Sequence, residues 1–190
     1  VLASGAEIIA VNDMVGAEME PTGRRVINGI KEELQFAGLG YLELNGSTEE
    51  NMATSQTSVA VTVIGLVDRS KLKINSVNNN AILFGFGEPR MGKELVEKPE
   101  LEVTYEIIKQ FVSREEVLEI VPVGSKGILY EANLLAEMNE FTFTESAACH
   151  SSWLHKSAGP ATAVIIAVAE EDAPNFIQAY PEAYIAGKLI

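Results

Sequence analysis

The chain has 190 residues, of which 47% are hydrophobic and 22% charged, and these fractions are typical of a protein that folds around an apolar core. Its 27 acidic and 14 basic residues give a net charge of −13, which would repel nucleic-acid phosphates and anionic lipid. Composition therefore argues against nucleic acid and membrane surfaces as partners, whereas ATP can still bind where magnesium bridges its phosphates to carboxylates.

The first half of the chain reads as strand, helix and three further strands. Residues 23–37 place Val26, Ile27, Ile30 and Leu34 at helical spacing between charged residues, which predicts an amphipathic helix. Short apolar or β-branched runs predict the strands, and the run at 58–67 is apolar enough to predict a buried strand. The predicted strands are residues 7–11, 40–44, 58–67 and 81–86, with a polar loop at 45–57.

The second half repeats the alternation of strands and helices, which predicts an α/β (α+β) fold. The predicted helices are residues 104–112, 128–139 and 172–180, and the predicted strands are 117–121, 141–143 and 162–169. The charged segment near residues 88–103 separates the halves, so the sequence predicts two domains, 1–88 and 89–190.

Cysteine content and apolar run lengths bear on the compartment. The single Cys149 cannot form an intramolecular disulfide, which favours a reducing compartment, and we expect the cytoplasm. The longest apolar stretches, 59–67 and 162–169, are too short to span a bilayer.

Residues 87–94 nearly match the P-loop pattern G-x-x-x-x-G-K-[ST]. The P-loop needs a hydroxyl at its last position to bind magnesium, and Glu94 has none. Pro89 also lacks a backbone N–H that could contact phosphate. The sequence therefore favours a plain turn here.

A second glycine-containing loop, residues 122–127, lies between a predicted strand and helix. Gly124 and Gly127 allow a sharp turn, Ser125 could cap the helix, and Lys126 would add a positive charge to a helix N-terminus that favours anions. An ordinary strand-to-helix turn explains the same residues. The loop at 156–162, which begins with Lys156, either lines the same cleft or merely turns the chain.

The polar cluster of Glu145, Cys149, His150, His155 and Lys156 suggests a metal site or a thiol nucleophile. Its spacing is irregular for zinc and no placed base is evident, so a polar surface loop is the favoured interpretation.

The loop at 45–51 carries the sharpest signal. Gly46 permits close approach to a ligand, Ser47 and Thr48 supply hydroxyls, and Glu49 with Glu50 supplies the hard oxygens that magnesium prefers. The alternative is a capped turn, since Ser or Thr followed by acidic residues is ordinary capping chemistry.

Five stretches together resemble, in this order, the aminoimidazole ribonucleotide synthetase (PurM-like) superfamily, which includes thiamine-monophosphate kinase, selenophosphate synthetase and the hydrogenase maturation dehydratase. The five stretches are residues 3–9, the helix around Gly29 and Ile30, and residues 45–51, 62–65 and 87–94. Residues 122–128 and 156–161 look closest to the synthetase-related branch that includes α-ribazole kinase of cobalamin lower-ligand salvage.

The resemblance implies a two-domain PurM-like fold. Its N-terminal domain, 1–88, would bind ATP and magnesium and pair with a second copy to form a β-barrel across a homodimer, and residues 89–190 would form the C-terminal α/β domain. It further implies that a strand and an Asp-bearing metal loop precede Val1.

The resemblance also assigns residues to roles. Asn45, Gly46, Ser47 and Thr48, together with Gly124, Ser125 and Gly127, would contact the cofactor, and Glu49 and Glu50 would hold magnesium. As a separate hypothesis, Lys126 and Lys156 would be catalytic, near the transferred or substrate oxygens. Ser47 stands where the family usually has a carboxylate, so Glu49 or Glu50 must take over that role. Lys126 stands where thiamine-monophosphate kinase has Asp, which argues against thiamine phosphate as the substrate.

Three functions remain open at this point. The favoured one is a Mg²⁺- and ATP-dependent phosphotransferase that acts on a small nucleoside-like substrate such as α-ribazole. The second is an ATP-dependent synthetase or cyclase with the same fold. The third is a ligand-binding or dimerisation module without catalytic activity.

Overall fold

The computed structural model describes residues 1–147 and 149–190, which form two compact units. The first unit comprises Val1–Leu2 and Ala6–Arg69, and the second comprises Ala3–Gly5 and Ser70–Ile190. The division falls between residues 69 and 70 rather than at the predicted 88/89 position, because the strand Ala81–Phe86 pairs with strands of the second unit. The roles predicted for the two domains stay predictions.

The first unit is a three-stranded sheet with one long helix. Its elements are β1 (Glu7–Gly16), α1 (Arg24–Phe36), β2 (Leu44–Thr48) and β3 (Ser58–Leu66). The strand order is β2-β1-β3, with β1 parallel to β2 and antiparallel to β3. Among the described residues this sheet is open and does not close into a barrel. The apolar side chains of α1 are half-buried, and none of the helix's side chains is fully buried.

Two predictions for this unit were wrong. The strand predicted at 40–44 lies instead at Leu44–Thr48. Residues 45–48 of the predicted loop at 45–51 therefore belong to a strand. Its residues have low β-propensity, but pairing in register with Val11 to Val15 of β1 overrides local preference. The strand at 58–67 forms as predicted but is not buried, because it is an edge strand with exposed valines.

The second unit is a five-stranded antiparallel sheet with helices, in the order β5-β7-β4-β8-β6. Its strands are β4 (Ala81–Phe86), β5 (Val117–Pro122), β6 (Phe143–Glu145), β7 (Val164–Ala169) and β8 (Tyr184–Leu189). Its helices are α2 (Lys93–Glu97), α3 (Tyr105–Ser113), α4 (Ile128–Met138), α5 (Ser151–Leu154) and α6 (Ala173–Ala179). β8 and the short helices α2 and α5 are not predicted by the sequence pattern.

The core of the second unit lies around β7. Ile165 and Ala167 belong to an apolar cluster that also contains Ile128 and Leu135 of α4. An aromatic group is built around Phe176, whose ring centroid lies 4.9 Å from that of Phe84 and 5.9 Å from that of Phe111. No helix of the described residues is long and apolar enough to cross a membrane.

Candidate functional site

In the first unit, the parallel pairing of β1 with β2 places Asp13 directly opposite Gly46. A Cβ atom added at Gly46 would lie 2.5 Å from Cγ of Asp13, far inside van der Waals contact. The glycine is therefore required by the neighbouring carboxylate. This is a more specific reason than the close ligand approach that the sequence suggested.

Asp13 is a candidate site residue that local sequence motifs do not single out. Its side chain is only 2% exposed, and its Oδ2 atom has no hydrogen-bond partner. Asp13 lines an open cleft of about 470 Å³, together with Ile27 and Lys31 of α1 and with β2 residues 44–48. The available signal was a carboxylate on the same face of the strand as the buried residues Val11 and Val15.

The two acidic residues after β2 brace the chain locally. Asn51 N–H donates to Glu49 Oε1 at 2.6 Å, while Met19 N–H and the Thr48 hydroxyl donate to Glu50 Oε1 at 2.5 and 3.2 Å. These bonds do not cap a helix: residues 44–48 form a strand and no helix follows before β3, so the capped turn opening a short helix, the alternative interpretation, was wrong. Each carboxylate has about four lone-pair sites, so both residues retain acceptor capacity for a cation beside these bonds.

The amide and hydroxyl side chains of β2 make only local hydrogen bonds. Asn45 Oδ1 accepts from Gly46 N–H at 3.1 Å, and the Ser47 hydroxyl donates to the Thr48 carbonyl at 3.4 Å. Asn45 and Ser47 are exposed and line the Asp13 cleft. They are placed to contact a ligand there.

In the second unit, the loops at 122–127 and 156–162 pack together, whereas their shared cleft stays a prediction. Ala158 N–H donates to the Gly124 carbonyl at 3.1 Å. Gly127 has a φ of 84°, and a Cβ atom there would lie 2.6 Å from the Leu154 carbonyl oxygen. Both loops lie where β5 ends and β7 begins. Ser125 does not cap α4, because the N-cap position is Gly127 and makes no side-chain hydrogen bond.

The two candidate catalytic lysines in this unit have different surroundings. Lys126 Nζ lies 4.0 Å from the centre of the Tyr130 ring, within range of a cation–π interaction. Lys156 Nζ donates to Glu94 Oε1 at 2.7 Å, and Glu94 Oε2 accepts from Met91 N–H at 3.1 Å. The hydrogen bond from Lys156 lowers the pKa of the Glu94 carboxyl. Glu94, the residue that argues against a P-loop, is therefore the hydrogen-bond partner of Lys156.

The cluster around Cys149 does not form a metal site. Among residues 1–147 and 149–190, no group of three or more His, Cys, Asp or Glu side chains could hold a metal ion. The Cys149 side chain is buried, and burial raises the pKa of its thiol, with a smaller contribution from the charge of Glu145. Its thiol therefore stays protonated, which argues against a nucleophile. The polar-loop interpretation was also wrong, because Cys149 and Leu154 pack in the apolar core and residues Ser151–Leu154 form α5.

No protein-family model matches the sequence, and no curated protein matches it significantly. Solved structures do match. They include Escherichia coli HypE, a hydrogenase maturation protein, with a TM-score of 0.72 and 14% identity over 100% of this chain and 70% of that one. Thermotoga maritima PurL complexed with AMPPCP gives 0.68 and 14%, over 100% of this chain and 35% of that one. AaThiL complexed with AMPPCP and TMP gives 0.64 and 15%, over 100% and 69%.

These neighbours are members of the PurM-like fold. This chain has the PurM-like fold. The predicted fold class is confirmed at that level, whereas the barrel and the homodimer stay predictions. The chain spans about a third of PurL and somewhat more than two thirds of HypE and AaThiL.

Proposed function

We propose that this protein binds ATP with magnesium and transfers the terminal phosphoryl group to a small nucleoside-like substrate, with α-ribazole as the first compound to test. The observation that carries the proposal is that all of this chain aligns with PurM-like structures solved with AMPPCP, an ATP analogue. In the first unit, residues 45–48 line a cleft that lies beside the acidic pair. The α-ribazole part of the proposal rests on the sequence resemblance alone.

The donor set fits magnesium only in combination with a nucleotide. Magnesium in nucleotide enzymes is commonly held by one or two carboxylates together with substrate phosphates. Glu49 and Glu50 supply two carboxylates, and the described residues gather no larger acidic group. When bound, the ion would neutralise charge on the phosphates. The protein residues would position the nucleotide through β2 and keep Glu49 and Glu50 in place through the hydrogen bonds to Oε1.

Lys126 and Lys156 of the second unit are the residues that we propose as catalytic, and they rest on the sequence reasoning alone. Lys126 would contribute a positive charge beside the backbone turn of Gly124 and Gly127. Lys156 would do the same only when Glu94 releases it, since the pair is now bonded at 2.7 Å. Positioning and charge neutralisation are the main contributions to phosphoryl transfer.

A homodimer is part of the proposal, and the exposure of β3 supports it. Val59, Val61 and Val63 are 37–48% exposed on one face, and the strand is at the edge of its sheet. An apolar edge strand is a ready template for pairing with another chain. A second copy pairing there would extend the open sheet toward the predicted barrel.

The direct test is isothermal titration calorimetry, with ATP titrated into the protein in the presence of magnesium. We expect binding that weakens about tenfold or more when Glu49 and Glu50 are both changed to Gln, because the ion loses its carboxylates. Lys93→Ala is the matched control: it alters the P-loop-like segment and should leave binding unchanged. Equal binding by the wild type and the double Gln variant would remove the acidic pair from the site.

Product analysis separates the catalytic alternatives. A phosphorylated nucleoside supports the kinase, whereas a ring-closed or amidated product with released phosphate supports the synthetase. Binding of ATP without turnover supports the non-catalytic module. If Lys126→Ala and Lys156→Ala both leave turnover and substrate affinity unchanged, the lysines have no catalytic role.

A further inference from the structure

Residues 91–97, which include the short helix α2, form a loop of the second unit that we call the flap. The flap begins directly after Arg90, whose side chain is only 2% exposed. The backbone N–H of Arg90 donates to Thr162 Oγ1 at 2.8 Å. Its guanidinium donates to the carbonyl oxygens of Lys98 and Glu100, just beyond the flap, at 2.6 and 2.7 Å. Losing hydrogen bonds to a buried charge is costly, so both ends of the flap are fixed at Arg90.

The flap itself is held much less firmly than its ends. Val96 is 82% exposed and Met91 51%, so burial of apolar surface contributes little to its position. Gly92, the N-cap residue of α2, has a φ of 58° in open space, where a glycine backbone turns without strain. In the described part of the chain, a single ion pair joins the flap to the unit beyond its two flanking residues, and it links Glu94 to Lys156.

The ion pair between Glu94 and Lys156 is weak enough for a ligand to replace it. The two side chains are 43% and 26% exposed, and ion pairs that water reaches favour the paired state by about fivefold or less. An ammonium group has three donors and no acceptor, so Lys156 would exchange the Glu94 carboxylate for another oxyanion. Glu94 therefore occupies the place that an anionic group of a ligand would take.

We propose that the flap blocks Lys156 in the free protein and opens when a phosphate or carboxylate group of a ligand displaces Glu94. This inference rests on the proposed function, because it describes how the site at Lys156 becomes available. The ends fixed at Arg90 keep the displaced flap close to the site, and Gly92 supplies a point where the backbone can rotate. Glu94 is then a specificity residue, because a neutral ligand has no charge with which to replace it.

The first experiment measures the rate at which trypsin cuts after Lys93, the one lysine of the flap. A protease cuts an ordered segment only after the segment opens, so the rate reports the open population. We expect cleavage about two- to fivefold faster in Lys156→Ala, which releases the flap and leaves the sequence around the cut unchanged. Lys126→Ala removes a cation from the neighbouring loop and should leave the rate unchanged. Equal rates for the wild type and Lys156→Ala would overturn the inference.

Ligands should also open the flap, the reverse of the protection that bound ligands usually give. We expect inorganic tripolyphosphate, or ATP with magnesium, to raise the cleavage rate of the wild type to that of Lys156→Ala, which should not respond. If neither anion accelerates cleavage, the inference is overturned, and calorimetric binding of ATP would still leave the proposed function standing. Acceleration by tripolyphosphate without any binding of ATP would overturn the proposed function and leave the flap standing.

The second experiment is calorimetry with whichever of the two anions opens the flap. Glu94→Gln should bind that anion about two- to fivefold more tightly than the wild type, because the ligand no longer competes with an internal carboxylate. Glu97→Gln is the matched control, since it removes the same charge from α2 without touching Lys156, and its affinity should equal that of the wild type. Equal or weaker binding by Glu94→Gln would overturn the inference.

Discussion

β3 and β7 have nearly the same kind of sequence and opposite surroundings. Both are runs of β-branched and small apolar residues without a charge. β7 lies between β5 and β4 and is covered on both faces, so its residues from Val164 to Val168 are at most 1% exposed. β3 is an edge strand, and its Val59 side chain, for example, is 48% exposed. Composition thus specifies that a strand forms, whereas its neighbours decide whether the strand is buried.

The largest expected contrast comes from making the same change in both strands. Val168→Ala removes two methyl groups from a fully buried site and should lower the free energy of unfolding by about 2 kcal/mol or more. Val59→Ala in the monomer should change it by about 0.5 kcal/mol or less, since the site is exposed. Amide hydrogen exchange resolves the two units separately. Equal losses would mean that β3 is covered in solution.

A charged residue in β3 tests what covers it. Val59→Lys should leave the monomer folded, because the side chain is half exposed, but should dissociate a homodimer built on this strand, because the ammonium group would be buried without a partner. Light scattering coupled to size exclusion should show a shift from dimer to monomer. Thr57→Lys, just before the strand, is the control. A dimer that survives Val59→Lys would place the interface elsewhere.

The smallest expected effect concerns a surface bond of the well-packed unit. Lys156 holds the pKa of Glu94 below its usual value, so the bond stabilises the fold above the unfolded pKa and this contribution is lost as pH falls through the folded pKa. Glu94→Gln should therefore lower the urea midpoint slightly at pH 7 and not at roughly pH 3. Fluorescence of the single Trp153 reports the transition. Glu97→Gln, which removes a carboxylate from the same helix, is the control variant.

Much of the element order follows from the sequence because hydrophobic period is a strong local signal. Residues 81–86 were predicted as a strand and form one with those bounds, and α1, α3 and α4 lie within a residue or two of their predicted ends. β2 was misplaced because the pairing with β1 is a tertiary effect that overrides the turn preference of Asn45 and Gly46. β8 was missed because Gly187 and Lys188 interrupt its apolar pattern.

The candidate site was predictable only in part. Gly46 and the acidic pair stand out locally, and their neighbours in sequence suffice to suggest a ligand loop. A glycine is required at position 46 because Asp13 leaves no room for a side chain there. Asp13 is 33 positions earlier in the chain and becomes the neighbour of Gly46 through strand register. In the same way, the partner of Lys156 is Glu94, a contact that spans 62 positions. Spacing along the chain carries no signal for such pairs.

The uncharged β3 edge also affects how the isolated protein behaves in solution. Edge strands that lack charged or proline residues are prone to join other strands, and Ser58–Leu66 contains neither. The protection that remains is long-range repulsion between molecules of net charge −13. Because that repulsion is screened over about 10 Å at 0.1 M ionic strength, added salt favours self-association of this acidic protein.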